Sequence, residues 1–123
     1  LGIRLRTDDE IVHAGKLMME RLHAQNVLLT LGEHGMSLFE PGGEISHVPT
    51  KARNVADVSG AGDTVISTLT MTLVGGASIK EAAALANHAG GIVCGYVGIV
   101  PINKEELRKN VVAEAEQSVE TKK

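Results

Sequence analysis

Asp57-Val58-Ser59-Gly60-Ala61-Gly62-Asp63-Thr64 joins a small-residue turn to an apolar segment of helix length that begins at Val65. Residues of these types can hold an anion. Gly60, Ala61 and Gly62 leave the main chain uncovered, so successive N–H groups can converge on one oxyanion while the positive end of the following helix faces it. Asp63 is the residue such a cradle does not need. A carboxylate beside a phosphate repels it unless it has a task, and the task on offer is removal of a proton from a hydroxyl that attacks phosphorus. The plain reading of the same string is a glycine turn before a helix, with an Asp that the macrodipole alone favours in the first turn.

Two other places could contact a ligand. Thr30-Leu31-Gly32-Glu33-His34-Gly35 sets a Gly-x-x-Gly turn after residues 27–31, a short apolar run that reads as a strand of the parallel-sheet type. The carboxyl ends of such strands are where open α/β sheets bind ligands. The alternative is a strand-to-strand turn that needs positive φ at a glycine, with Glu33 and His34 as exposed turn residues. Asn87 is the strong hydrogen-bonding side chain on a helical stripe of Ala83, Gly90, Gly91 and Cys94. Such a stripe admits a flat ligand, or it packs helix on helix with the Asn satisfied. Cys94, with no cation or base near it in sequence, reads as a small buried hydrophobe.

The elements that must position these residues follow from capping and periodicity. Thr7-Asp8-Asp9-Glu10 is a capping box, so a helix should run to about Ala24 with Ile11, Val12, Gly15, Leu17, Met18, Met19 and Leu22 on its apolar stripe. Residues 36–39 and 44–48 read as two short strands around Pro41-Gly42-Gly43, a hairpin turn. A largely polar stretch then carries the chain to Asp57. The helix at 61–74 should bury Val65, Ile66, Leu69 and Leu73 and end at Gly75-Gly76. Ser78-Ile79-Lys80-Glu81 is a second capping box, opening a helix that buries Ile79, Ala82, Ala83, Ala86, Ala89 and Val93, with Gly90 and Gly91 marking close approach. Asn103 with Glu106 resembles a third cap, for a terminal helix with Leu107, Val111 and Ala115 inward. The charges after Lys104 read as a solvated face, and the tail from Gln117 as frayed.

Composition removes several function classes. A net charge of -3 and an aromatic content of 2% give neither a basic footprint nor stacking platforms for nucleic acid, so no nucleic-acid partner is expected. The longest apolar run, residues 89–100, is short and glycine-interrupted, so no membrane span is expected either. The five histidines lack metal-ligand spacing, and no Walker loop is present. One cysteine suits a reducing compartment, and the cytoplasm is the expected location. At 123 residues the chain is one domain at most. It opens on Leu1, which reads as a fragment or a processed product.

The 57–63 string resembles the second signature of the PfkB, or ribokinase-like, carbohydrate kinases. That pattern asks for Asp, Asn, Ser or Lys, a small or β-branched residue, any residue, two small residues, Gly or Asp, and then Asp. Asp57, Val58, Ser59, Gly60, Ala61, Gly62 and Asp63 satisfy it in register, and Ser67, Leu69 and Thr70 match further along. Thr68 stands where the pattern prefers Ala or Gly. The resemblance implies an α/β, ribokinase-like fold: a parallel sheet with flanking helices plus a small β-hairpin. Residues 1–123 would form the C-terminal, nucleotide-binding part of a single kinase domain.

The resemblance also implies a reaction, transfer of the ATP γ-phosphate to a sugar hydroxyl. Asp63 would be the base, the amides of Gly60, Ala61 and Gly62 would neutralise developing charge, and Mg²⁺ would arrive with the nucleotide. Thr30, Gly32 and Gly35 match the family's T-x-G-x-x-G segment beside the nucleotide. Asn87, in Ala86-Asn87-His88, falls where the family's Asn borders the adenine. Some members hold a monovalent cation, K⁺, beside the anion hole. Here Asp57 matches that position and Ser59 could offer a carbonyl, with Ala89, Gly95 and Gly98 in the partner segment. Asp57 has a simpler alternative as a turn-fixing Asx residue.

Within the family, residues 32–40, 47–50 and 54–56 look most like the heptose 7-phosphate kinases of the ADP-heptose pathway, which serves lipopolysaccharide. The implied partners are therefore a phosphorylated sugar and ATP. Ribokinase- and fructokinase-type enzymes are the alternatives, as is a non-catalytic nucleotide-binding or assembly module. A sheet left with an unpaired edge invites association, and a homo-oligomer is expected.

Overall fold

The computed structural model describes residues 2–122. Contacts divide the chain into two compact units, Leu1–Pro49 and Thr50–Lys123.

The first unit begins with α1, Asp8–Leu22, and the capping box that predicts it is fully formed. The Thr7 hydroxyl accepts from the Glu10 amide at 3.3 Å, and the Glu10 carboxylate accepts from the amides of Thr7 at 3.0 Å and Arg6 at 2.6 Å. These donors hold the Glu10 carboxyl below its usual range. The strands are β1 (Val27–Thr30), β2 (Met36–Phe39) and β3 (Ile45–Val48), in the order β1-β2-β3. Both pairings are antiparallel, with Val27 opposite Phe39 and Met36 opposite Val48.

The expected parallel sheet is thus corrected: every strand pairing among the described residues is antiparallel. The reason is the connection. Parallel neighbours need a crossover of about a dozen residues or more, whereas β1 and β2 are joined only by a 3-10 turn at Gly32–His34. The hairpin at residues 40–44 is as predicted, with Gly42 and Gly43 both at positive φ. In the core, Leu38 and Phe39 are fully enclosed, with Ala14, Val27 and Met36 buried around them. Gly15 of α1 lies against the Phe39 ring so closely that an added Cβ would come within 2.1 Å of it.

The second unit is three helices, α2 (Ala61–Val74), α3 (Ile79–Val93) and α4 (Lys104–Glu120). Ser78 caps α3 with the predicted box, and the Asn103 side chain caps α4 by accepting from the amides of Glu105 and Glu106. The α2–α3 pair packs through small residues. Ala82, Ala83, Ala86 and Ala89 are completely buried, and a Cβ on Gly90 would stand 2.9 Å from Val65 Cγ2.

The packed stripe of α2 is Val65, Thr68 and Leu69. The expectation that Ile66 and Leu73 are buried is corrected, since Ile66 is 57% and Leu73 39% exposed. Positions 65, 68 and 69 share one side of a helix, and Ile66, a step of 100° round from Val65, leaves that side. Thr68, the departure from the family pattern, is in the stripe, where its small side chain permits close approach. On α4 nothing is fully buried: Leu107 and Val111 are half-buried, and Ala115 is exposed rather than inward. The tail is also more ordered than expected, with helix continuing to Glu120.

Candidate active site

The 57–63 motif is built from a turn and a helix start. Gly60 is the residue before α2 and takes φ 75°, ψ 0°, a left-handed conformation that side-chain-bearing residues rarely adopt. That reversal turns the chain straight into the helix. The Ala61 amide donates to the Val58 carbonyl at 3.2 Å and Thr64 N–H to the Gly60 carbonyl at 3.0 Å. The amides of Gly62 and Asp63 belong to the set that a helix N-terminus leaves without intrahelical acceptors. A Cβ added to Gly62 would meet nothing within 4 Å, so the flank of the helix start at Gly62 is open, while a Cβ on Gly60 would come within 3.1 Å of Ile99 Cγ2. Asp63 projects an exposed carboxylate from the first turn of α2.

Asp57 fixes the approach to this turn. Its Oδ1 accepts from Ser59 N–H at 2.9 Å and Ser59 Oγ–H at 2.7 Å, which is the Asx geometry, and its Oδ2 accepts from Gly98 N–H at 2.9 Å. The Ser59 hydroxyl and amide, then the Gly98 amide, hold the Asp57 carboxyl below its usual range. One residue earlier the main chain is tied as well: the amides of Ala56 and Asp57 both donate to the Cys94 carbonyl, at 2.8 and 3.2 Å. Burial, helped by the Asp57 charge, pushes the Cys94 thiol up and away from nucleophile duty. Asp57, Ser59, the 60–63 turn and Gly98 therefore form one constellation.

The remaining predicted residues are placed as follows. Thr30 ends β1, and Gly32 (φ 59°) and Gly35 (φ 83°) bracket the 3-10 turn. That turn is closed by Leu31 N–H to the Gly35 carbonyl at 2.8 Å, and Glu33 and His34 are exposed on it. Asn87 is 4% exposed on α3 and engaged in an interaction of its own. Gly91, read as a point of close approach, lies against backbone, since a Cβ there would come within 2.9 Å of the Lys51 carbonyl carbon.

One cluster escaped the sequence reading. His88, 8% exposed, points Nδ1 at Asn110 Oδ1 (2.7 Å) and Nε2 at Glu114 Oε2 (3.0 Å). Glu114 Oε1 accepts a short hydrogen bond from Lys51 Nζ. Lys51 and, more weakly, His88 hold the Glu114 carboxyl below its usual range against partial desolvation. These side chains line a cavity of about 290 Å³ with Arg53 and Asn54. The α4 charges are thus not merely a solvated face. Asn110 and Glu114 lie one helical turn apart, a spacing that marks a shared face, but nothing local names His88 as their partner.

Family comparison covers the stretch that holds the 57–63 constellation. The description "pfkB family carbohydrate kinase" matches residues 1–106. The chain belongs to the PfkB carbohydrate kinase family. Among curated PfkB relatives it is 47% identical over 107 residues to the bifunctional protein HldE of Desulfatibacillum aliphaticivorans, covering 87% of this chain and 22% of that protein. It is also 47% identical over 111 residues to HldE of Azotobacter vinelandii, covering 90% and 23%. The chain thus spans less than a quarter of the length of these relatives. Among solved structures, Arabidopsis thaliana ribokinase complexed with ribose and ATP matches with a TM-score of 0.79 and 27% identity, over 89% of this chain and 36% of that one. Phosphofructokinase-2 from Escherichia coli in complex with potassium matches with a TM-score of 0.79 at 20% identity, over 89% and 35%, a likeness of fold. The chain is therefore a mixed α/β part of a ribokinase-like fold. No helix among the described residues is long and apolar enough to cross a membrane.

Proposed function

We propose that this chain is the nucleotide-binding, phosphate-transfer part of a cytoplasmic PfkB kinase domain that moves the ATP γ-phosphate to a hydroxyl of a phosphorylated sugar. The proposed acceptor is a heptose 7-phosphate, as the similarity to the HldE proteins favours. The observation that carries the reading is the pairing of an open, glycine-formed helix N-terminus with an exposed carboxylate, Asp63, in its first turn. In a module that only bound phosphate, that carboxylate would repel the ligand, a cost set against the small gain from the helix dipole. The absence of a side chain at Gly62, beside which an added Cβ would meet nothing, supports close approach of a phosphate there.

Each residue then has a role. Asp63 takes the proton of the attacking hydroxyl, and the amides of Gly60, Gly62 and Asp63 offset charge that develops on the transferred group; the Ala61 amide, expected to join them, is spent on the Val58 carbonyl instead. Mg²⁺, arriving with ATP, supplies charge neutralisation at the phosphates. Asp57 keeps the turn in place, and with the Ser59 carbonyl it would hold a monovalent cation such as K⁺. Thr30, Gly32 and Gly35 of the first unit and, separately, Asn87 of the second are each assigned to the nucleotide on the family resemblance. The working enzyme is a homo-oligomer.

The test uses the intact protein that carries this sequence. Asp63→Asn should lower kcat for sugar-dependent ADP release by about 10² to 10⁴ while ATP affinity changes little. Near wild-type kcat would remove Asp63 from the mechanism. Gly62→Val should leave the fold intact, because its Cβ meets no protein atom, yet weaken ATP binding. Comparing heptose 7-phosphate with ribose and fructose as acceptors separates the proposed enzyme from ribokinase and fructokinase types.

A further inference from the structure

Residues 50–57 lead into the Asp57 turn without belonging to any strand or helix. What holds them is α3, the loop after it, and α4. At the far end, the Cys94 carbonyl receives the amides of Ala56 and Asp57. In the middle, the Lys51–Ala52 backbone rests on Gly91 with no room for a Cβ between them. At the near end, Lys51 donates to Glu114, whose other oxygen faces His88 of α3. One carboxylate on α4 thereby joins the start of the segment to the helix that carries Asn87.

We infer that Glu114 is a positioning residue for the phosphate turn: through Lys51 and His88 it pins residues 50–57 against α3 and so fixes where Asp57, Ser59 and Gly60 stand. Glu114 lies beyond residue 106, outside the stretch that matches the family description. Its consequence for catalysis rests on the kinase reading above, but the tie itself does not. A carboxylate that serves two nitrogen donors from different elements is directional, and removing it leaves a nearly buried imidazole and a half-buried ammonium without their shared acceptor. The effect is transmitted along the backbone, because each of the later anchors depends on the register set at Lys51.

Amide hydrogen exchange on the intact protein that carries this sequence tests the tie directly. Glu114→Ala and, from the other side, Lys51→Met should each speed exchange of the Ala56 and Asp57 amides by about tenfold or more, with Val65 and Leu69 inside α2 changed by less than about twofold. Unchanged exchange at Ala56 and Asp57 in both variants overturns the inference, as does an equal rise at Val65 and Leu69, which would mean global loosening. In the intact protein both variants should lower kcat about 3- to 10-fold while the KM for ATP stays within about twofold, the signature of misplacement rather than lost binding. An unchanged kcat with a loosened turn overturns the positioning role. If the wild-type protein shows no sugar-dependent ADP release, the kinase reading fails instead, and the exchange data still decide the tie.

Discussion

Asp57 Oδ2 accepts the Gly98 amide at 2.9 Å across 41 residues of sequence, so the loop after α3 and the turn before α2 are held by a single carboxylate. Because Oδ1 is also engaged, by Ser59, the carboxylate is fixed in orientation whatever else it binds. Two roles remain separable by experiment. If Asp57 also helps hold a monovalent ion, activity of the intact protein should rise with K⁺ at fixed ionic strength, and Asp57→Ala should abolish that dependence. Equal rates in K⁺ and in a bulky organic cation would leave the turn-fixing role alone.

Gly15 is required by the Phe39 ring. A methyl group there would overlap an aromatic side chain that is only 2% exposed and has little room to turn away. Gly15→Ala, normally stabilising within a helix, should instead destabilise by about 1–3 kcal/mol, the usual cost of overpacking. Urea unfolding is the measurement. A variant as stable as wild type would mean that the ring relocates freely.

Acid should loosen the second unit. The Glu114 carboxyl is held below its ordinary value of 4.5 in the folded chain, chiefly by Lys51. A lowered folded value means that the unfolded chain binds the proton more readily. The stabilisation is therefore present in full above the unfolded value and is lost as pH falls from about 4.5 through the lower folded value. Since the Glu114 side chain is 37% exposed, solvent screening keeps the effect small. Glu114→Gln should flatten thermal stability between pH 6 and pH 3, values taken as about one and a half units on either side of the ordinary one. A slope identical to wild type would refute this.

Residues 1–123 on their own should not turn over. Positioning catalysis requires the acceptor hydroxyl about 3 to 3.5 Å from phosphorus, and no sugar clamp is evident among the described residues. Edge strands β1 and β3 each have one neighbour, and Met71 and Val74 are 71% and 80% exposed. Self-association is expected on both grounds. Sugar-dependent ADP release by these residues alone would contradict the first expectation, and a monodisperse monomer by light scattering the second.

What the sequence made legible was whatever is encoded over a few residues. Thr7 with Glu10 and Ser78 with Glu81 each satisfy the other's backbone donors, so two helix starts could be placed to the residue. Gly60 announced its left-handed turn through its neighbours. Strand direction was not legible, because four apolar residues at 27–30 carry no mark of which way their partner runs; the short Gly32–Gly35 link did carry it. Ile66 was not legible either, because apolar character alone does not set inward orientation. The His88–Glu114–Lys51 cluster is assembled by tertiary packing from three separate segments, so no spacing rule could find it.

The α2–α3 connection has a consequence for the order of assembly. Only residues 75–78 separate the two helices, and they bury the alanine face of α3 between them. Contacts so close along the chain close small loops and form fast. The ties of residues 50–57 are of another kind, since Lys51 must find Glu114 across 63 residues and Asp57 must find Gly98 across 41. The helical hairpin bearing Asp63 and Asn87 should therefore be in place early in folding, with the turn at residues 57–60 the last part to acquire its geometry. Refolding would then pass through a species with native helix content and an unformed Asp57–Gly60 turn.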